Sequence, residues 1–165
     1  MVVKGDPARP LAVIDIDGVL ADVGHRLHFL RRRPKDWDGF FSAAPADPPH
    51  PEGLARAAEL GSGHDVVLLT GRPERWRPDT EAWLAEHGVD HELLVMRPRG
   101  DRRPAAEVKV GLLAVLARDR HVAVVVDDDL LVIEALRRAG YRAELAGWGR
   151  PSESLRRAQE VEGRT

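Results

Sequence analysis

A doubly wound α/β fold, a parallel sheet with helices on both faces, is the architecture this sequence predicts. Three observations carry it. Short, almost wholly apolar runs recur along the chain, which is the pattern of strands buried on both faces. Stretches with helical spacing lie between them, so each pair of strands is joined by a crossover helix. Polar residues capable of chemistry follow the apolar runs directly, at the carboxyl ends of the strands, where open α/β sheets place their ligands.

The elements follow in order. The expected strands are LAVIDI at 11–16, DVVLLT at 65–70, HELLVM at 91–96 and HVAVVV at 121–126, with a weaker YRAEL at 141–145. Leu54, Ala57 and Ala58 before Gly61, and Trp83 and Leu84 before Gly88, mark two helices closed by glycine stop signals. Val108, Leu112, Val115 and Leu116 repeat at i, i+4, i+7 and i+8, and Val132, Ile133 and Leu136 do so before Gly140. Residues 21–51 break the rhythm: they are rich in proline, arginine and aromatics, including Trp37, Phe40 and Phe41. An excursion of this length is either a functional flap or an irregular loop packed on the sheet edge. In the first case its aromatics line the approach to a site beside His25 and Arg26; in the second they are core.

At 165 residues the chain is the size of one ordinary domain, here read as 1–165 with a core over about 11–146. No apolar stretch approaches the roughly 20 residues of a membrane helix. The first ten residues lack a secretory signal, and the absence of cysteine excludes a disulfide framework, so cytoplasmic residence is expected. The formal charge of -2 conceals clusters of arginine, at 31–33, at Arg72, Arg75 and Arg77, and through RPRGDRR at 97–103. A phosphate-rich partner is therefore compatible with the sequence.

The strand ends hold the chemistry. Asp15 and Asp17 follow the first run, two residues apart and so on one face of an extended backbone, and Gly18 lets the chain turn. Thr70, Gly71 and Arg72 follow the second, offering a hydroxyl, free backbone N–H groups and a guanidinium suited to phosphate oxygens. Asp127, Asp128 and Asp129 follow the fourth; adjacent acids repel unless a cation neutralises them. Oxygen ligands without cysteine or a convergent histidine pair point to Mg2+. Lys109, one of three lysines, opens the preceding helix where it can reach over the strand ends.

These four motifs, DIDG at 15–18, LTGR at 69–72, Lys109 and Asp127-Asp128, resemble in order and spacing those of the haloacid dehalogenase superfamily of phosphotransferases. The likeness is nearer still to the phosphatase domain of polynucleotide kinase-phosphatases, which removes 3'-phosphates from nucleic-acid ends. It extends to Arg97, Gly100-Asp101, Arg103 and Val108-Lys109, to the Trp-centred helix after TGR, and to the Arg-Arg-x-Gly helix end, over about 11–145. Val19 and Asp129 depart from residues common in those relatives, and no GxxxxGK[ST] kinase motif is present in the chain.

The resemblance implies a Rossmann-like fold that is capless or has only a small flap. It also implies a Mg2+-dependent phosphomonoester hydrolase working through an aspartyl-phosphate on Asp15. Asp17 is then the acid and base, protonated at the start because Asp15 and Asp127 crowd it. Thr70 and Lys109 hold phosphoryl oxygens. Asp15, the backbone carbonyl of Asp17, and Asp128 or Asp127 hold the metal. Gly71, Arg72, Arg97 and Arg103 contact the substrate, unless the arginines are used in ion pairs with Asp101 or Glu107. The substrate is a phosphorylated nucleic-acid end; free nucleotides or another small ester are the alternative. A phosphoacceptor signalling domain also gathers acids, a hydroxyl and a lysine around Mg2+, but there the phosphorylated aspartate ends a middle strand and the acidic pair ends the first.

Overall fold

Five parallel strands form the sheet in the computed structural model, which describes residues 1–3, 5–149 and 157. They are β1 (Leu11–Ile14), β2 (Asp65–Pro73), β3 (Leu93–Arg97), β4 (Val122–Asp127) and β5 (Ala143–Leu145), in the order β3-β2-β1-β4-β5. The four expected strands and the weaker fifth are all present. The chain builds outward from β1 through β2 to β3, then crosses to the other side of β1 for β4 and β5. That reversal opens a crevice at the carboxyl end of β1, between the ends of β2 and β4.

The apolar runs are explained by two-sided burial. Ala12 and Ile14 of β1 pack on one face with Ala57 and Leu60 of α2 (Pro51–Gly61) and Trp83 and Leu84 of α3 (Arg77–Glu86). Leu11 and Val13 pack on the other with Leu113 and Leu116 of a helix over Ala105–Leu116 and Val132, Ile133 and Leu136 of one over Leu130–Arg138. Each fully buried Val, Leu or Ile is worth about 1.5–3 kcal/mol, so a charge anywhere inside these strands would be costly. The buried charges are accordingly collected at or near the strand ends, as at Asp65, Arg72, Arg97 and Asp127, or just past them, as at Asp15 and Asp17.

The excursion holds a short helix, α1 (Trp37–Ser42), between 3-10 segments at Gly24–Arg31 and Ala44–Ala46. Asp36 caps α1 by accepting from the Gly39 N–H at 2.8 Å. Trp37, Phe40 and Phe41 form a small cluster of their own with Val23 and Leu30, and Trp76 packs against it. The aromatics are thus mostly core, in a flap too small to be a separate cap domain.

The remaining helices, α4 (Ala105–Leu116) and α5 (Leu130–Arg138), cover the second face. In α4 the buried stripe is Ala105, Val108, Lys109, Leu113 and Leu116, turned from the expected one so that Leu112 and Val115 are only half-buried. This helix is apolar nearly all round, so hydrophobic spacing does not fix its rotation. The ion pairs of Lys109 do. Near the end of the described chain, the Trp148 indole N–H donates to the Val19 carbonyl at 2.8 Å. The tail that follows, SESLRRAQEVEGRT, lies outside the described residues except for Arg157.

Candidate active site

β1 stops at Ile14 and leaves Asp15 at the mouth of the crevice, its N–H still donating to the Val126 carbonyl of β4 at 3.0 Å. Its carboxylate is 3% exposed and accepts from the Ile16 N–H at 2.8 Å and from Lys109 Nζ at 2.8 Å. Burial pushes the Asp15 pKa up to about 7; Lys109 opposes this, and the charges of Asp127 and Asp17 add to it. Gly18 closes the turn at φ +81°, and a Cβ there would overlap the Asp128 carboxylate. Glycine is required on both counts.

Lys109 reaches across from α4 and bridges Asp15 and Asp127, donating to Asp127 Oδ2 at 2.5 Å. Burial by itself would lower its pKa, but the two carboxylates raise it, so it is firmly an ammonium. One carboxylate oxygen from each of Asp15, Asp127 and Asp128 lies within 4.8 Å of the other two. Asp128 has a pKa well above the usual carboxylate range, first from burial and then from the charges of Asp127 and Asp15. Three acids facing one lysine leave negative charge uncompensated, and the donors are all oxygen. This set fits a divalent cation of the Mg2+ kind. The third acid of the run serves the helix instead: Asp129 caps α5, its Oδ1 accepting from the Leu131 N–H at 2.9 Å.

On the other side of Asp15, the pairing of β2 with β3 shifts register between Leu69 and Pro73. Thr70, Gly71 and Arg72 fall in this irregular stretch, near the end of β2 that adjoins β1. Thr70 is buried, and its Oγ1 accepts from the Arg72 N–H at 3.2 Å. Gly71 is half-buried.

Here the structure departs from what the sequence suggested for Asp17 and Arg72. The Asp17 carboxylate turns away from the acidic cluster, and its Oδ1 accepts from Arg26 Nη2 at 2.8 Å and from Arg72 Nε at 2.9 Å and Nη2 at 2.6 Å. Burial would raise its pKa, but Arg26 and Arg72 hold it below the ordinary carboxylate value. In this conformation Asp17 is a carboxylate, not the crowded, protonated acid expected from its neighbours Asp15 and Asp127. Arg72, 1% exposed, points into the protein, where it also donates to Asp47 Oδ2 at 3.0 Å.

The partner that sequence reasoning missed is Asp47. It takes a forked pair of bonds from Arg26, Nε to Oδ1 at 2.8 Å and Nη2 to Oδ2 at 2.7 Å, and a contact from His25 Nε2 at 2.8 Å. Arg26 has no exposed surface and lies 4.1 Å over the Phe40 ring. The Trp83 indole N–H donates to the Asp47 carbonyl at 2.9 Å. Two arginines and two aspartates therefore clamp the excursion to the ends of β1 and β2. Asp47 sits in a proline-rich stretch with nothing in its spacing to mark it, whereas Arg26 stood out only as a possible lining residue.

The β3–α4 loop carries the last two expected site residues. Arg97 is 3% exposed, and its Nη1 donates to the Arg103 carbonyl at 2.9 Å, bracing the loop from beneath. Arg103 is exposed and pairs with Asp101 at 2.6 Å, the ion pair that was the alternative to a substrate contact.

Fold and strand-end motifs together make this protein a phosphatase of the haloacid dehalogenase superfamily. More finely, the family model of the polynucleotide kinase PNKP phosphatase domain matches residues 10–144, and the chain belongs to that family. Among solved structures it is similar to a chain of the Pnkp1/Rnl/Hen1 RNA repair complex, at 24% identity and a TM-score of 0.73, covering 90% of this chain and 46% of that one. A second structure of that complex matches at 25% identity and a TM-score of 0.73, covering 88% of this chain and 49% of the other. The present chain spans about half the length of these relatives. An enzyme of the same superfamily from Bacteroides thetaiotaomicron, in complex with magnesium and inorganic phosphate, shares the fold at 12% identity and a TM-score of 0.53, covering 90% of this chain and 99% of that one. No curated protein matches the chain. Among the described residues no helix is long and apolar enough to cross a membrane.

Proposed function

We propose that the protein removes 3'-phosphates from polynucleotide ends, with Asp15 as the nucleophile and Mg2+ as cofactor. The observation that carries the chemistry is the buried Asp15 carboxylate, held by Lys109 and set within reach of Asp127 and Asp128 at the end of the central strand. Family membership supports the substrate class.

Asp15, Asp128 and Asp127, with the backbone carbonyl of Asp17, would hold Mg2+, which offsets the repulsion between Asp15 and a phosphate dianion. An Asp15 carboxylate oxygen then bonds to phosphorus as the ester P–O bond breaks, and the electron pair of that bond leaves on the sugar oxygen, which takes up a proton. Water next attacks the same phosphorus, the bond to Asp15 breaks, and inorganic phosphate departs with Asp15 regenerated. Lys109 and Thr70 hold the equatorial oxygens throughout. Asp17, kept as a carboxylate by Arg26 and Arg72, is suited to accept the proton of the attacking water. To supply the proton of the first step it must leave those arginines and become protonated, so the clamp gates the acid half of the cycle.

A panel of 3'-phosphorylated oligonucleotide, 5'-phosphorylated oligonucleotide and mononucleotides, run with Mg2+ and with chelator, tests the proposal. The 3'-phosphorylated oligonucleotide should give the highest kcat/KM, and chelator should abolish turnover. A preference for mononucleotides or for a 5'-phosphate would overturn the substrate class, and undiminished turnover in chelator would overturn the cofactor.

A further inference from the structure

Beside the catalytic crevice lies a groove of about 440 Å³, between the excursion and the β3–α4 loop. Its lining includes the apolar Trp37 and Phe41, 9% and 2% exposed, and the arginines Arg97, Arg99 and Arg102. We infer that this groove is a binding track for single-stranded polynucleotide, taking the nucleotides that precede the phosphorylated end.

Three observations support the inference. First, charge is left over on the groove wall. The two acids of the lining are already neutralised, Asp101 by Arg103 at 2.6 Å and Glu74 by Arg77, whereas Arg99 and Arg102 are exposed and make no ion pair among the described residues. Two unpaired guanidiniums on one loop attract an anionic backbone.

Second, the apolar side is rigid. Trp37 and Phe41 stack at 6.0 Å between centroids and 23° between planes, and Phe41 lies 6.4 Å from Trp76. These rings spend their faces on one another in the aromatic cluster of the excursion and leave only an edge exposed, so they form a preformed wall that a strand meets with little loss of entropy.

Third, the position is right. The groove takes in Pro73 at the end of β2 and Arg97 at the end of β3, and β3 is the second strand out from β1. At about 4.8 Å per strand it is roughly 10 Å from the Asp15 position, the distance of the next one or two nucleotides along a strand. Exposed cations beside a preformed apolar surface suit a single strand, whose phosphates meet the cations.

This inference rests on the polynucleotide reading of the active site, and the experiment separates the two. Binding of a fluorescent hexanucleotide ending in a 3'-hydroxyl is followed by anisotropy across a salt series, for the unaltered protein and for the Arg99→Ala/Arg102→Ala variant. The variant should bind at least tenfold more weakly at low salt, with its slope of log Kd against log salt smaller by about 1.4, the value for two lost phosphate contacts on a single strand. Its kcat/KM for a small aryl phosphate should be unchanged, because neither arginine touches the reacting group. Equal binding by the two proteins, or no binding by either, overturns the groove. Salt-dependent binding that the variant loses, with no hydrolysis of the 3'-phosphorylated form of the same hexanucleotide, leaves the groove standing and overturns the assigned reaction instead.

Discussion

Two buried charge clusters lie side by side at the carboxyl end of the sheet, and they are built on opposite principles. The first, Asp15, Asp127 and Asp128 around Lys109, carries three acids against one base. The second, Asp17 and Asp47 with Arg26 and Arg72, carries two of each and satisfies them with a web of bonds between 2.6 and 3.0 Å. The balanced cluster needs nothing from outside and holds the excursion in place. The unbalanced one holds negative charge that a cation would complete. Uncompensated buried charge in a crevice is the mark of a reactive site, whereas matched buried charge is the mark of a brace.

The largest effect should come from breaking the unbalanced cluster. Asp15→Asn is expected to lower kcat by about 10^4-fold or more, the scale on which covalent nucleophiles are lost, with the folding midpoint preserved or raised because a buried charge is removed. Steady-state phosphatase assays and urea denaturation check the two halves. Asp128→Asn should act through the metal: saturating Mg2+ at 100 times its Kd stabilises the unaltered protein by about 2.7 kcal/mol, and the variant should lose most of that rise in Tm.

Breaking the balanced cluster should cost stability before chemistry. Arg26→Met leaves Asp17 and Asp47 with one arginine between them, and the loss of a buried partner is worth about 3–5 kcal/mol in chemical denaturation. If the variant instead unfolds at the same midpoint, the clamp does not brace the excursion and acts only by gating Asp17. The smallest effect is expected at Arg103→Ala, whose exposed pair with Asp101 should leave the denaturation midpoint where it was.

The sheet was legible because its strands are buried on both faces, so burial and sequence run together in LAVI and VAVVV. The acidic cluster was legible for a related reason: Asp15, Asp127 and Asp128 follow those strands directly, and Lys109 falls on the helix feeding the second. The clamp was not. Arg26 and Asp47 come from irregular backbone, where no period predicts which way a side chain faces, and they are 21 residues apart in a segment that packs against itself. The phase of α4 was hidden because nearly every position in it is apolar. In the β3–α4 loop the sequence pointed to Arg97 and Arg103, the two arginines the loop uses to hold its own shape. The two that face the groove without an acidic partner, Arg99 and Arg102, have no periodicity or motif to single them out.

Direct capture of the phosphorylated residue bears most closely on the central assignment. Excess enzyme and a 3'-phosphorylated oligonucleotide, mixed with Mg2+ and quenched in acid within a single turnover, should give a tryptic peptide carrying one phosphoryl group on Asp15. Its appearance and decay should bracket the release of inorganic phosphate. Phosphate release at the full rate with Asp15 unmodified at every time point would contradict the account.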